Sequence, residues 1–211
     1  MKKKKPTTYF GVANINALLE YPHHEHAGML FTRVWAMPNA WTFKIKPIEL
    51  LLKRYIPAGG EGWIDPYAGY NSPAEYTNDL DPNAVADFHI DAIEFADIMK
   101  EISKPDPRWG KDDKQDLFNG ILYDPPYSFR QISEHYKHLG KKVTQKDTSM
   151  AFYEKTKSAF CELIKPGGYA ISFGWNSNGF GKARGFKIVE ILMVAHGGSK
   201  HDTIVVVEQK V

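Results

Sequence analysis

The sequence is short of cysteine. Cys161 is the only one in 211 residues. An internal disulfide and a cysteine-based zinc cluster are therefore excluded. No apolar run approaches the length of a membrane span. Charge of one sign is also missing, since 27 Lys and Arg stand against 25 Asp and Glu, a net +2. Any nucleic acid would have to be held by a local patch, not by bulk charge. A Lys2 to Lys5 run opens the chain, but no apolar segment follows it as in a signal peptide. The run reads as a solubilising terminus before it reads as a nucleic-acid contact. Two nucleotide signatures are absent as well: no full Gly-x-Gly-x-x-Gly, and no Gly-Lys-Ser/Thr after a strand. What remains is 43% apolar and 13% aromatic, enough to fill a core. The expectation is one cytoplasmic domain with no contact to membrane.

Residues 1–40 are the least legible. Tyr21-Pro22-His23-His24-Glu25-His26 reads as a loop with incidental histidines, because nothing nearby completes a metal set at usual spacing. No metal is expected. From residue 41 the pattern sharpens. Ile48, Leu51, Leu52 and Tyr55 share one helix face, started by Pro47 and ended by Pro57-Ala58-Gly59-Gly60. Gly62 to Asp65 reads as a buried parallel strand, residues 74–80 as a second, and 82–89 as a short helix. Gly120 to Tyr123 is another buried strand. Residues 149–165 form a helix with one apolar face, followed by a strand over 169–173. Residues 187–195 and 203–207 make a closing hairpin. Strands alternating with helices predict an α/β sandwich with a mostly parallel sheet. Its ligands belong at the carboxyl ends of the strands.

Acids stand at those ends: Asp65, Asp79, Asp91 and Asp124. Each alone could be a turn or cap residue. Together they would line one edge of the sheet. Gly69, in the turn after Asp65, lets the backbone approach a ligand. Asp79 ends the next strand, where an acid can accept both hydroxyl protons of a ribose. A nucleoside-containing ligand without a pyrophosphate fits this set. The sharpest signal is Asp124-Pro125-Pro126-Tyr127. Two prolines fix φ twice and remove two N–H donors. Asp124 and the Pro125 carbonyl can then accept both protons of an exocyclic amino group, while Tyr127 stacks on the ring. Cys161, on an apolar helix face, reads as a core residue.

In these motifs the sequence resembles the S-adenosylmethionine-dependent amino-methyltransferases, chiefly the N6-adenine DNA methyltransferases, in a compact form found in phages. Asp65-Pro66-Tyr67-Ala68-Gly69 resembles their cofactor motif, Asp79-Leu80-Asp81-Pro82 their ribose motif, and Asp91-Ala92 the acid that meets the cofactor's adenine. Asp124-Pro125-Pro126-Tyr127 is similar to their catalytic tetrad. Phe43, in Thr42 to Pro47, stands in the segment that flanks the cofactor. The likeness covers residues 38–207. It departs at Asn71, where the family usually has a second glycine; Asn tolerates a left-handed backbone better than most residues.

The resemblance implies a Rossmann-like class I methyltransferase sandwich, with a mostly parallel seven-stranded sheet and a C-terminal antiparallel hairpin. It implies S-adenosylmethionine as cofactor and methyl transfer to N6 of adenine in DNA. An RNA N6-adenine or N2-guanine methyltransferase is the alternative. Residues 1–211 are expected to be a single methyltransferase domain, with 1–40 as an N-terminal extension. Little chain separates Asp91 from Asp124, so no separate target-recognition domain is expected. A partner protein or self-association could supply recognition. Residues 128–148 offer Arg130, Lys137, Lys141 and Lys142 among aromatic side chains. They read either as a contact to nucleic acid or as a solvated loop. Asn176, in Gly174-Trp175-Asn176-Ser177, could line the site or cap a turn.

Overall fold

The computed structural model describes residues 23–104, 117–126, 150–198 and 200–211. Two segments with strand character open the described chain. Strand β1 (His23–His26) turns through Ala27 and Gly28, both at positive φ, into β2 (Met29–Trp35). The histidines expected in a loop therefore form an edge strand, paired antiparallel from His23↔Thr32 to His26↔Met29. Alternate side chains of a strand face opposite ways. The pattern was obscure because β2 buries Thr32 alone among its residues.

Helix α1 (Lys46–Tyr55) follows a single 3-10 turn over Thr42–Lys44. Pro47 sits in its first turn, where a missing N–H costs nothing. Ile48, Leu51 and Leu52 are buried as the spacing predicts. Strand β3 (Trp63–Asp65) is fully buried, and β4 (Tyr76–Thr77) is shorter than the 74–80 expected. Residues 82–89 are not helical. Asp81 accepts from the Asn83 amide and side chain, and Asp87 from the Thr77 amide and hydroxyl. The segment's own amides turn to neighbouring backbone: Val85 donates to the Gly69 carbonyl, and Asp87 and Phe88 to the Thr77 carbonyl. The segment ends in a parallel bridge, Asn78↔Phe88, which brings Asp91 toward the sheet edge.

Helix α2 (Ala92–Ile102) and strand β5 (Phe118–Tyr123) follow, then α3 (Met150–Cys161). The helix expected to run to 165 stops at Cys161, and Ile164 already begins strand β6 (Ile164–Gly174). Phe118 pairs with Ile164, and Gly120 next with Tyr169, so residues 165–168 bulge from the ladder. Strands β7 (Phe186–Ala195) and β8 (Thr203–Lys210) complete the predicted hairpin.

The sheet order is β1-β2-β7-β8-β6-β5-β3-β4. Strands β4, β3, β5 and β6 are parallel to one another, and β8 runs against both of its neighbours. This is the Rossmann-like α/β arrangement with its antiparallel C-terminal hairpin. Among the described residues the sheet has eight strands where seven were expected: β3 to β8 are six, and the β1–β2 hairpin adds two at the edge through the parallel β2/β7 pair. Each core lies on one face of the sheet. Trp63, Leu122, Ile171 and Phe173 pack toward α1, and Ile64, Ile121, Tyr123 and Ala170 toward α2 and α3. Neighbouring strand residues fall in opposite cores, as a period of two requires. Gly120 carries no side chain because the Trp63 ring lies where a Cβ would be, 2.6 Å away.

Candidate functional site

The carboxyl ends of β3, β4 and β5 carry the acids. Asp65 is completely buried and organises the loop after β3. One oxygen accepts from the Tyr67 amide at 2.9 Å, and the other from the Ser72 hydroxyl at 2.6 Å. Gly69, at the far point of that loop, has φ +55°. Its amide donates to Asp79 Oδ2 at 2.9 Å, while Asp79 Oδ1 accepts from the Asp81 amide at 2.9 Å. A carboxylate has about four lone-pair sites, so each Asp79 oxygen keeps capacity for a further donor. Asp91 is the N-cap of α2 and accepts from the Ile93 amide at 2.8 Å. Asp124 directly follows β5 and begins the proline turn. The Tyr153 hydroxyl of α3 donates to the Pro126 carbonyl and fixes that turn from below. Tyr123 is held by Thr156 at 2.6 Å and meets the Tyr67 ring edge-on at 5.5 Å.

These ends enclose a cavity of about 500 Å³. Phe43, Tyr67, Ala68, Gly69, Asp79, Leu80, Asp91 and Ala92 line it, as do Asp124, Pro125 and Pro126. Asp65 is not among the residues that line the cavity, and its two oxygens bond within the loop after β3. Asn176 is exposed and caps its own turn by accepting from the Asn178 amide at 2.9 Å. Tyr127, Arg130, Lys137, Lys141 and Lys142 lie outside the described residues. Among the described residues, no three metal-ligating side chains come together. No helix there is long and apolar enough to cross a membrane.

Several cavity residues escaped the sequence. Trp175 lines it where Asn176 does not, although both stand in the segment after β6. Trp41, Tyr70, Phe152 and Thr203 also line it. Asn78 is the most consequential. It is 1% exposed and ties three segments together. Its amide group donates to the Pro66 and Ile90 carbonyls, and its oxygen accepts from the Ile90 amide. A polar residue one position ahead of the strand-end acid was the only available signal.

Burial pushes the Asp65 carboxyl up to about 7. The Ser72 hydroxyl and Tyr67 amide pull against that, and the Asp124 and Asp79 carboxylates add to it. Between pH about 4 and 7 the folded chain holds a proton at Asp65 that the unfolded chain has released. Stability from this group is therefore full below about pH 4 and is lost as pH rises through 7. The size is on the order of 2–4 kcal/mol. Asp65→Asn keeps an acceptor for Tyr67 and cannot ionise. Urea unfolding at pH 5 and pH 8 should show the wild type losing more stability than the variant. Equal losses would rule the coupling out.

No protein-family model matches the chain, and no curated protein matches it. Solved structures do match at low identity. TrmN from Thermus thermophilus is 17% identical over 79% of this chain and 49% of that one, with a TM-score of 0.46. The N-methyltransferase NodS from Bradyrhizobium japonicum is 9% identical over 70% and 84%, at 0.41. The 1,6-didemethyltoxoflavin-N1-methyltransferase of Burkholderia thailandensis, which holds S-adenosylhomocysteine, is 13% identical over 70% of each chain, at 0.38. The chain spans about half the length of the TrmN it matches.

Proposed function

We propose that the chain is an S-adenosylmethionine-dependent methyltransferase acting on the N6 amino group of adenine in DNA. One observation carries the reading: Asp124-Pro125-Pro126 opens into the same cavity as Asp79 and Asp91, two strand spacings away across β5, β3 and β4. A group that accepts amino protons and a pair that suits a nucleoside thus share one enclosure.

The residues fit the cofactor. The cavity falls within the usual range for small ligands. At Gly69 a Cβ would meet nothing within 4 Å, so the backbone presents open space to a ligand. Asp79 accepts the ribose hydroxyl protons with the capacity its two backbone bonds leave. Asp91 accepts from the adenine amino group, and Phe43, 8% exposed and packed 5.1 Å from Phe173, supplies an apolar wall. Bound there, the cofactor supplies a methyl group on a sulfonium.

The target adenine leaves its duplex, because N6 is otherwise buried in the stack. Asp124 and the Pro125 carbonyl accept its two amino protons. That would localise the nitrogen lone pair, which the ring otherwise delocalises, and hold it facing the cofactor site. Tyr127 supplies a ring for the base to stack on. Most of the rate enhancement is positioning and charge complementarity, since the methylated nitrogen releases its proton without a strong base.

The test is methyl transfer from labelled S-adenosylmethionine to unmethylated DNA and to RNA in parallel, read by nucleoside mass spectrometry. N6-methyladenine in DNA is expected. Label in RNA alone would move the activity to the other polymer, and label in neither would overturn the reading.

A further inference from the structure

Two consecutive prolines leave the turn after β5 short of donors. Pro125 and Pro126 have no N–H, so neither can tie the turn down by donating. Their carbonyls remain, and an anchor on them must be a donor from another element. Helix α3 grips both ends of the turn. After it, the Tyr153 hydroxyl donates to the Pro126 carbonyl. Before it, the hydroxyl of Tyr123, the last residue of β5, is bonded to Thr156 Oγ1 at 2.6 Å. Tyr153 and Thr156 are three positions apart and share one face of α3. Asp124 and Pro125 are the two residues between the gripped positions.

The two grips support each other. Thr156 is fully buried, and its hydroxyl lies 3.0 Å from the Tyr153 carbonyl. A hydroxyl has one proton and two acceptor lone pairs. Tyr123 therefore donates to Thr156, which donates in turn to that carbonyl. The Tyr123 ring is wedged edge-on against Tyr67 at 5.5 Å and Phe180 at 5.4 Å. Burial pushes the Tyr153 hydroxyl above the usual tyrosine range, so it keeps its proton and stays a donor. Tyr153 is not among the residues that line the cavity, whereas Asp124, Pro125 and Pro126 are. What Tyr153 contributes must pass through the turn.

We infer that Tyr153 is a positioning residue: with Thr156 it clamps the turn so that Asp124 and the Pro125 carbonyl meet the target's amino group together. The inference rests on the proposed function and adds the groups that hold its two acceptors in register. Both protons sit on one nitrogen, so drift of the turn spoils both bonds at once. A misplacement of about 1 Å at a reacting centre costs up to about a hundredfold in rate.

The experiment uses the full chain, labelled S-adenosylmethionine, and unmethylated chromosomal DNA and total RNA as substrates. Single-turnover rates read the chemistry, and calorimetry reads S-adenosylhomocysteine. Tyr153→Phe keeps the ring and removes the donor. Its rate should fall about tenfold to a hundredfold. Its S-adenosylhomocysteine affinity should stay within about threefold of wild type, which also reports that it is folded. Tyr55→Phe is the control, since it removes a hydroxyl bonded to Glu190 at 2.6 Å on the other face of the sheet. Its rate should stay within about threefold of wild type. In an Asp124→Ala background, Tyr153→Phe should cost about threefold or less, because residues that act as one unit are not additive. A wild-type rate in Tyr153→Phe would overturn the clamp and leave the proposed function standing. So would an equal loss in Tyr55→Phe, or the full loss repeated in the Asp124→Ala background. Transfer to RNA alone would overturn the choice of DNA, and the same variants would decide the clamp on RNA. No transfer by wild type to either polymer would overturn the proposed function and the clamp with it.

Discussion

Asp124→Ala should lower methyl transfer by about a thousandfold and leave S-adenosylhomocysteine affinity within about threefold. The residue begins the turn after β5, two strand spacings away from Asp79 and Asp91 across β5, β3 and β4. Its substitution therefore removes an acceptor for the target's amino group and no partner of the cofactor. Loss of one preorganised group at a reacting centre costs on the order of 10²–10³ in rate. Here the lost group is a full charge in a partly enclosed site, so the upper end applies. Asp124→Asn should recover part of the rate, since its side-chain oxygen still accepts one proton without the charge. Asp124 also pushes the Asp65 carboxyl upward, after burial and against the Ser72 and Tyr67 bonds. Asp124→Ala should therefore lower the Asp65 titration slightly. Initial rates with labelled cofactor, alongside calorimetry, check all of this. Near-normal methylation by Asp124→Ala would remove Asp124 from the chemistry.

Much of the sheet was readable because burial on both faces leaves a simple mark. Trp63-Ile64 and Ile121-Leu122-Tyr123 are short apolar runs closed by an acid and a proline, and both are buried parallel strands. The strand-end acids were readable for the same reason: a carboxylate ending an apolar run has few places to go. The β1–β2 hairpin left no such mark. Its second strand ends on the exposed Trp35, the exposed Met37 follows, and its first strand is His-His-Glu-His. Its place is set by tertiary pairing with β7, which no local pattern reports. Residues 82–89 misled in the opposite sense. Pro82 after an Asp looks like a helix start, yet the Val85, Asp87 and Phe88 amides donate to the Gly69 and Thr77 carbonyls. In the site, backbone-approach residues such as Gly69 were visible as types. Trp175 was not, because the choice between it and Asn176 depends on how the chain bends after β6.

Asn78→Ala shows why the least visible residue of the site carries a large effect. Its buried side chain satisfies the Pro66 carbonyl and, in a half-buried setting, the Ile90 carbonyl and amide. Its own amide donates to the Asp65 carbonyl and its carbonyl accepts from Ala68, both at 2.8 Å. The backbone bonds survive substitution, but the three side-chain bonds do not. A buried group left without a partner costs about 1–3 kcal/mol. Water from the adjacent cavity can recover part of that, so the net loss should be about 2–4 kcal/mol. For a chain of this size that lowers Tm by roughly 5–15 °C. The loss should also reach the ligand, because Asn78 fixes the spacing between the Gly69 loop and the segment that ends in Asp91. S-adenosylhomocysteine affinity should fall about tenfold or more. Asn78→Asp tests the mechanism, since it keeps the acceptor and loses both donors. It also sets a carboxylate against two carbonyl oxygens, so near pH 7 it should be at least as unstable as Asn78→Ala. At low pH, with the carboxyl protonated and able to donate once, it should regain part of the difference. Thermal unfolding at two pH values and one calorimetric titration decide the matter. A loss below about 1 kcal/mol with unchanged affinity would mean that β3 and β4 hold the two loops in place without this side chain.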